Sequence, residues 1–284
     1  MDLFVRFLNP VLMILLGLGV GILVSHRFRQ DWRLYGIGAA TFVIAQVFHI
    51  PFNQFALNPA LQDLSLAGGL GGWNLVWVSI ALGLSAGVFE ETARYLVYRF
   101  WIKHARTWKA GLMFGAGHGG IEAILVGVLA LLTVFQMMAV RNGDLSTLVQ
   151  PEQLELAQAQ VAAFWETPWY IFLLGAYERI MAISFHLAAA ILVLQAFLRN
   201  NKLWVGAAIL WHTSFNATVL FVAQTYGAVQ AEGVATIFGV ASLWMLFRLR
   251  TNNESDTEIV PPSLIEIKPT QITADDLENS QYDQ

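Results

Sequence analysis

The sequence contains no cysteine in 284 residues, and Asp, Glu, Lys and Arg together make up only 13 % of it. Without cysteine there is no disulfide framework, no thiolate metal site and no cysteine nucleophile. Soluble domains carry about 25 % charged residues. A chain that is 56 % hydrophobic, with a mean hydropathy of +0.55, has too few charges to wrap its own core. A soluble globular protein is close to excluded. Also missing are a basic stripe of the kind that meets nucleic acid, a glycine-rich phosphate loop and an internal repeat. The net charge of −4 comes from the end of the chain. Residues 251–284 hold eight acidic side chains and one basic one, Lys268; without them residues 1–250 keep 15 basic and 12 acidic side chains, a net charge of +3. The chain thus divides into a hydrophobic body, 1–250, and an acidic tail, 251–284. The tail's Pro261–Pro262 pair, polar content and charge read as disorder.

Crossing a bilayer as a helix takes roughly 20 apolar residues. Runs of that kind lie at 9–25, 34–50, 74–98, 110–139, 169–198, 203–223 and 231–248. The expected fold is an all-α polytopic membrane protein of seven spans. The first run is preceded only by Arg6 and followed by Arg27, Arg29 and Arg33, with no small-residue cleavage site, so it reads as an anchor rather than a signal peptide. Connections after spans one, three, five and seven hold eleven Lys and Arg residues, whereas the opposite side holds Arg6 and Arg141. That bias puts the amino terminus outside and the tail in the cytoplasm, in what we read as a bacterial plasma membrane. The long loop 141–168 is external and contains a surface-lying helix over 152–166, with a substrate-facing cap as the alternative. The Gly68–Gly72 run reads as a flexible connection.

The ionisable residues inside the spans carry the chemistry. Span three has Glu90, Glu91 and Arg94; span four has His118 and Glu122; span five has Glu178, Arg179 and His186; span six has His212 with Asn216. Four glutamates and two arginines at mid-span would cost on the order of 15–20 kcal/mol unpaired, so they must meet one another. Counted from the flanking basic residues, the glutamate of span three and the three histidines lie roughly 13–20 Å from the cytoplasmic boundary. Helical spacing puts Glu90 with Arg94, His118 with Glu122, and His212 with Asn216 on single faces. Glu90 and Glu91 diverge by about 100°. Glu90 shares its face with the small residues Gly83, Ala86 and Gly87, and Glu91 with Leu84, Val88, Tyr95 and Tyr98. Glu90 is therefore expected to face the bundle centre. His26, His49 and His104 lie near span ends and read as interface residues, and the ten tryptophans as an interfacial belt and core packing.

The strings EETAR, FGAGH and HTSFN, in that order, resemble the CAAX-protease and bacteriocin-processing superfamily of intramembrane endopeptidases. GHGGIEAIL and ERIMAISFH are more specifically similar to its YhfC branch of intramembrane metalloproteases. Glu91 and Arg94 are three apart, closer than in the prenyl-protein endopeptidases and more like the PrsW proteases. The resemblance implies a four-helix catalytic core in spans three to six and a membrane protein or peptide as substrate. Glu90, with Glu91 as the other candidate, would activate water; His118 would help hold that water, and His212 and Asn216 would stabilise the oxyanion. Arg94 and Arg179 would serve as counter-ions, while Glu122, Glu178 and His186 would orient the histidines or bind a metal. The three histidines His118, His186 and His212 form a candidate zinc site, and a metal-free, carboxylate-activated water explains the same residues. A non-catalytic scaffold and a proton-coupled transporter are the rival classes. The first is disfavoured because every motif is retained, the second because repeat-related halves are missing.

Overall fold

A computed structural model of the chain describes residues 2–64, 72–141 and 143–250. The acidic tail and most of the Gly68–Gly72 run lie outside the described residues. Ten α-helices follow in order: α1 Asp2–Phe28, α2 Trp32–Phe52, α3 Asn58–Asp63, α4 Gly72–Phe100, α5 Trp108–Val140, α6 Pro151–Glu166, α7 Trp169–Phe172, α8 Leu174–Leu198, α9 Leu203–Tyr226 and α10 Ala228–Arg248. A π-helical stretch, Asn53–Leu57, joins α2 to α3, so the second span continues to Asp63. Seven helical segments are long and apolar enough to cross a membrane, and no strand occurs among the described residues. The protein is an all-α polytopic membrane protein.

Local sequence starts and stops these helices. The Asp31 carboxylate caps α2 by accepting from the Arg33 amide, and the Thr107 hydroxyl caps α5 by accepting from Ala110. Gly227, at φ +99°, makes the turn between α9 and α10, a conformation that disfavours any side chain. Pro151 opens α6, where its missing N–H has no intrahelical partner to lose. As expected for a surface-lying helix, α6 has no buried residue. It is tied to the bundle by Arg6, whose guanidinium donates to the carbonyls of Phe164, Trp165 and Thr167 and sits 4.0 Å from the Phe172 ring centre.

Helix α8 is the axis of the bundle. Of its most apolar window 78 % is buried, against at most 39 % for any other span. Helix α5 packs antiparallel to it: a Cβ on Gly111 would meet Ile191 and one on Gly115 would meet Ala190. Small residues set the other close crossings. A side chain on Gly117 would collide with the Tyr35 carbonyl, which brings α2 against α5; one on Gly87 would lie 2.9 Å from the Ile209 carbonyl, which brings α4 against α9. The small-residue stripe expected on α4 thus seats α9. Without Cβ atoms at these crossings, the polar side chains one turn further along approach within hydrogen-bond reach.

Candidate functional site

Helix α4 brings three ionisable side chains to the interior. Its buried positions include Gly83, Ala86, Gly87, Glu90, Glu91, Arg94 and Tyr98, the i, i+3, i+4, i+7 stripe of an amphipathic helix. Such a stripe is at least about 100° wide, so both glutamates lie on it, Glu90 at 5 % exposure and Glu91 at 0 %. This corrects the expectation that only Glu90 turns inward. Leu84 and Val88, expected to share the face of Glu91, are exposed on the outside of the bundle.

Glu90 is the hub of the cluster. Its Oε2 accepts from His118 Nε2 at 3.0 Å and its Oε1 from Gln46 Nε2 at 3.0 Å. Arg94 Nη2 lies 3.8 Å and His212 Nε2 4.0 Å from Oε2. Glu91 accepts from Arg94 Nη1 and, at 2.7 Å, from His212 Nδ1. The other arm of Arg94 donates to His186 Nδ1 at 2.7 Å. That nitrogen must therefore carry the lone pair, and the protonated Nε2 of His186 faces Glu122. Beyond Glu122, Arg179 bridges Glu122 at 2.7 Å and Glu178 at 2.5 Å. The imidazoles stand in a row, 5.1 Å from His118 to His186 and 5.9 Å from His186 to His212. Phe42 packs edge-on against His118, and Phe185 against His186 and His212.

Nine of the ten side chains expected at the site thus form one continuous network. Asn216 stands apart. Among the described residues no hydrogen bond joins it to the cluster; it lines a cavity of about 510 Å³ shared with His49, Asn53, Glu178 and Glu232. The second span, outside the four-helix core expected from spans three to six, supplies residues that sequence reasoning missed. His49 bonds Gln46 at 3.2 Å, Ser85 at 2.9 Å and Asn53 at 2.9 Å, and Gln46 reaches Glu90. His49 lies in the last turn of α2 yet mid-span, rather than at a span end, because the span runs on to Asp63. The polar spacing Gln46, His49, Asn53 within an apolar segment was the signal that could have found them. Glu232, two residues into the last run, was missed as well.

A second correction concerns metal ligation. The residues whose ligand atoms converge within 4.8 Å are Glu90, His118 and His186, not the three histidines. His212 is held aside by Glu91. Two imidazoles and a carboxylate from three helices are a donor set compatible with a divalent metal such as zinc. The Glu122 carboxylate on the far nitrogen of His186 is the outer partner that orients a ligating ring. His118 Nδ1 is buried with no hydrogen-bond partner among the described residues. Charge is compatible with this: with the histidines neutral, Glu90, Glu91, Glu122 and Glu178 outnumber Arg94 and Arg179 by two, an excess that a divalent cation would neutralise. The residues fit a divalent metal.

Among known families, the model of the YhfC intramembrane metalloproteases matches residues 12–238. The chain is 29 % identical over 245 residues, covering 84 % of its own length and 93 % of the relative's, to the uncharacterized membrane protein YhfC of Bacillus subtilis (strain 168). No solved structure matches.

Proposed function

This chain belongs to the YhfC intramembrane metalloprotease family, and from that membership we propose that it hydrolyses a peptide bond of a membrane-embedded protein or peptide. The observation that carries the reading is the convergence of Glu90, His118 and His186, buried and drawn from three helices. Glu90, His118 and His186 would hold a divalent metal such as zinc, which when bound would supply Lewis acidity and a water of lowered pKa. The chain's own residues do the rest. Glu91 accepts the Nδ1 proton of His212 and so fixes the ring with Nε2 turned toward Glu90. A histidine oriented by a carboxylate in this way moves a proton between the attacking water and the leaving amine. Asn216, one turn beyond His212 in the cavity wall, donates to the carbonyl oxygen as it gains charge.

A specific observation favours a second reading. Arg94 Nη2 already presents a positive charge to His186 Nδ1 and Glu90, so Glu90 could serve as a metal-free base beside a resident guanidinium. Metal analysis of purified protein separates the two: one equivalent, lost in His118→Ala and His186→Ala, is expected. Full activity in metal-free protein would leave the carboxylate reading. Either version requires that a deletion strain carrying Glu90→Gln accumulate the same uncleaved membrane proteins as the deletion itself. Restoration of cleavage by Glu90→Gln would take Glu90 out of the centre and move the role to Glu91.

Orientation belongs to the same proposal. The eleven-to-two distribution of basic residues supports an external amino terminus and a cytoplasmic tail in a bacterial plasma membrane. A cytoplasmic-type reporter fused after Gln284 is expected to be active, and an externally active one would reverse the assignment.

A further inference from the structure

Two openings flank the cluster, and helix α2 divides them. On one side His49 and Asn53 line the polar cavity that also holds Asn216, Glu178 and Glu232. On the other side a groove of about 580 Å³ runs between α2 and α5, a volume in the range of ligand pockets. Below it the two helices are locked together where Gly38 and Gly117 meet backbone of the other helix. Above that crossing they part, and the groove walls are apolar: Val47, Ile50, Leu125 and Leu129 are 41–63 % exposed. In a bilayer these side chains face lipid.

The polar groups in the groove are what single it out. Gln46 and Glu122 lie in its lining, and each is one contact from the cluster, Gln46 through Glu90 and Glu122 through His186. Pro51, also in the wall, has no N–H to give the Val47 carbonyl one turn back. The second amide N–H of Gln46 and the spare lone pairs of the Glu122 carboxylate, left over after their bonds to Glu90, His49, Arg179 and His186, match one kind of occupant in an otherwise apolar groove. An acyl chain has nothing to pair with them, and leaving them against hydrocarbon is costly. A helix about to be cut must unwind locally, and its freed N–H and C=O groups need partners inside the bilayer. The neighbouring groove between α2 and α4, about 300 Å³, contains no residue of the cluster and none bonded to it.

Building on the hydrolase reading, we propose that the α2–α5 groove docks one locally unwound transmembrane segment of the substrate, with Gln46 and Glu122 pairing its backbone beside the cluster. Water and peptide then reach Glu90 from different sides of α2. The absence of cysteine makes a direct test available. Full-length protein carrying Leu129→Cys (groove), Leu96→Cys (the α2–α4 groove) or Ile237→Cys (α10, 69 % exposed) is labelled with bimane in phosphatidylcholine vesicles. The probe is a synthetic Lys-flanked Leu/Ala transmembrane peptide with a central Gly-Pro pair and a tryptophan quencher beside it.

Saturable quenching at Leu129, with little at Leu96 or Ile237, is expected. Gln46→Leu should weaken the peptide's apparent affinity by up to about tenfold, the loss of roughly one hydrogen bond. Val126→Trp, which fills the groove from α5, should remove the saturable phase. The same peptide without the Gly-Pro pair should bind more weakly, because its backbone groups are already paired. Equal quenching at all three positions would overturn the proposal. So would brominated acyl chains that quench Leu129 equally with and without peptide, or quenching between two labelled copies of the protein. Cleavage and metal content, measured separately on the wild-type chain, report on the hydrolase reading. Wild-type turnover with no saturable quenching sinks the groove alone, and saturable quenching with no metal and no turnover sinks the hydrolase.

Discussion

The inner network around Glu90 and the outer network around Arg179 both pair glutamate with arginine, but only the inner one adds histidines, and its carboxylates are more deeply buried. Side chains of the inner set, Glu90, Glu91, Arg94, His118, His186 and His212, are 0–7 % exposed. In the outer set Arg179 is 7 %, Glu122 19 % and Glu178 37 % exposed. The outer arrangement is one guanidinium forked between two carboxylates, a fixed charge pattern. An arginine cannot give up its proton or bind a metal. The inner arrangement sets two carboxylates against one guanidinium and three imidazoles, and imidazoles can do both. The imidazoles therefore separate a fixed charge fork from a set able to bind a metal or carry a proton, and Glu122 belongs to both networks.

The comparison breaks most visibly at Glu90. Glu90→Gln keeps the size of the side chain but removes the carboxylate, and turnover of a membrane substrate is expected to fall by about 10⁴-fold; a variant within tenfold of wild type would move the centre to Glu91. Arg94→Ala leaves two buried carboxylates facing each other and should cost about 3–5 kcal/mol, read as a large drop in thermal stability of the detergent-purified protein. Asn216→Ala tests whether the cavity wall takes part in chemistry. Loss of an oxyanion donor predicts a fall of about 10²–10³-fold in kcat, with little change in metal content.

Smaller effects sharpen the division between the networks. Glu122→Gln disturbs the orientation of His186 and should weaken metal affinity about 10–100-fold, measured by competition with a chromogenic chelator. Unchanged affinity would confine Glu122 to the outer network. Glu178→Gln removes only the exposed end of the fork and should change stability by less than about 1 kcal/mol, with turnover unaffected. A large loss of turnover there would mean that the two networks act as one.

Much of this was legible in residues 1–250. Seven spans follow from apolar run length alone, because a helix must bridge a fixed hydrocarbon thickness. That glutamate, histidine and arginine must meet follows from the cost of burying charge unpaired, and their common depth follows from counting rise along each helix from the flanking basic residues. Nine of the ten expected side chains do form one network.

What the linear chain left open was rotation. Periodicity gives the angle of a side chain about its own helix axis, but not how that helix is turned toward its neighbours. For this reason the 100° between Glu90 and Glu91 did not say whether one or both faced inward; the width of the α4 stripe that packs on α9 and α2 decided it. The place of α2 was hidden for a related reason. His49 looked terminal until the π-helical stretch and α3 carried the span onward to Asp63, and only the Gly38–Gly117 crossing swings Gln46 onto Glu90. The sequence by itself determined the membrane fold, the chemistry of the buried residues and their depth, through run length, charge cost and helical rise. Tertiary structure alone chose Glu90, His118 and His186 as the converging set and turned His212 toward Glu91, because ligand geometry depends on how close and at what rotation glycine-lined helices pack.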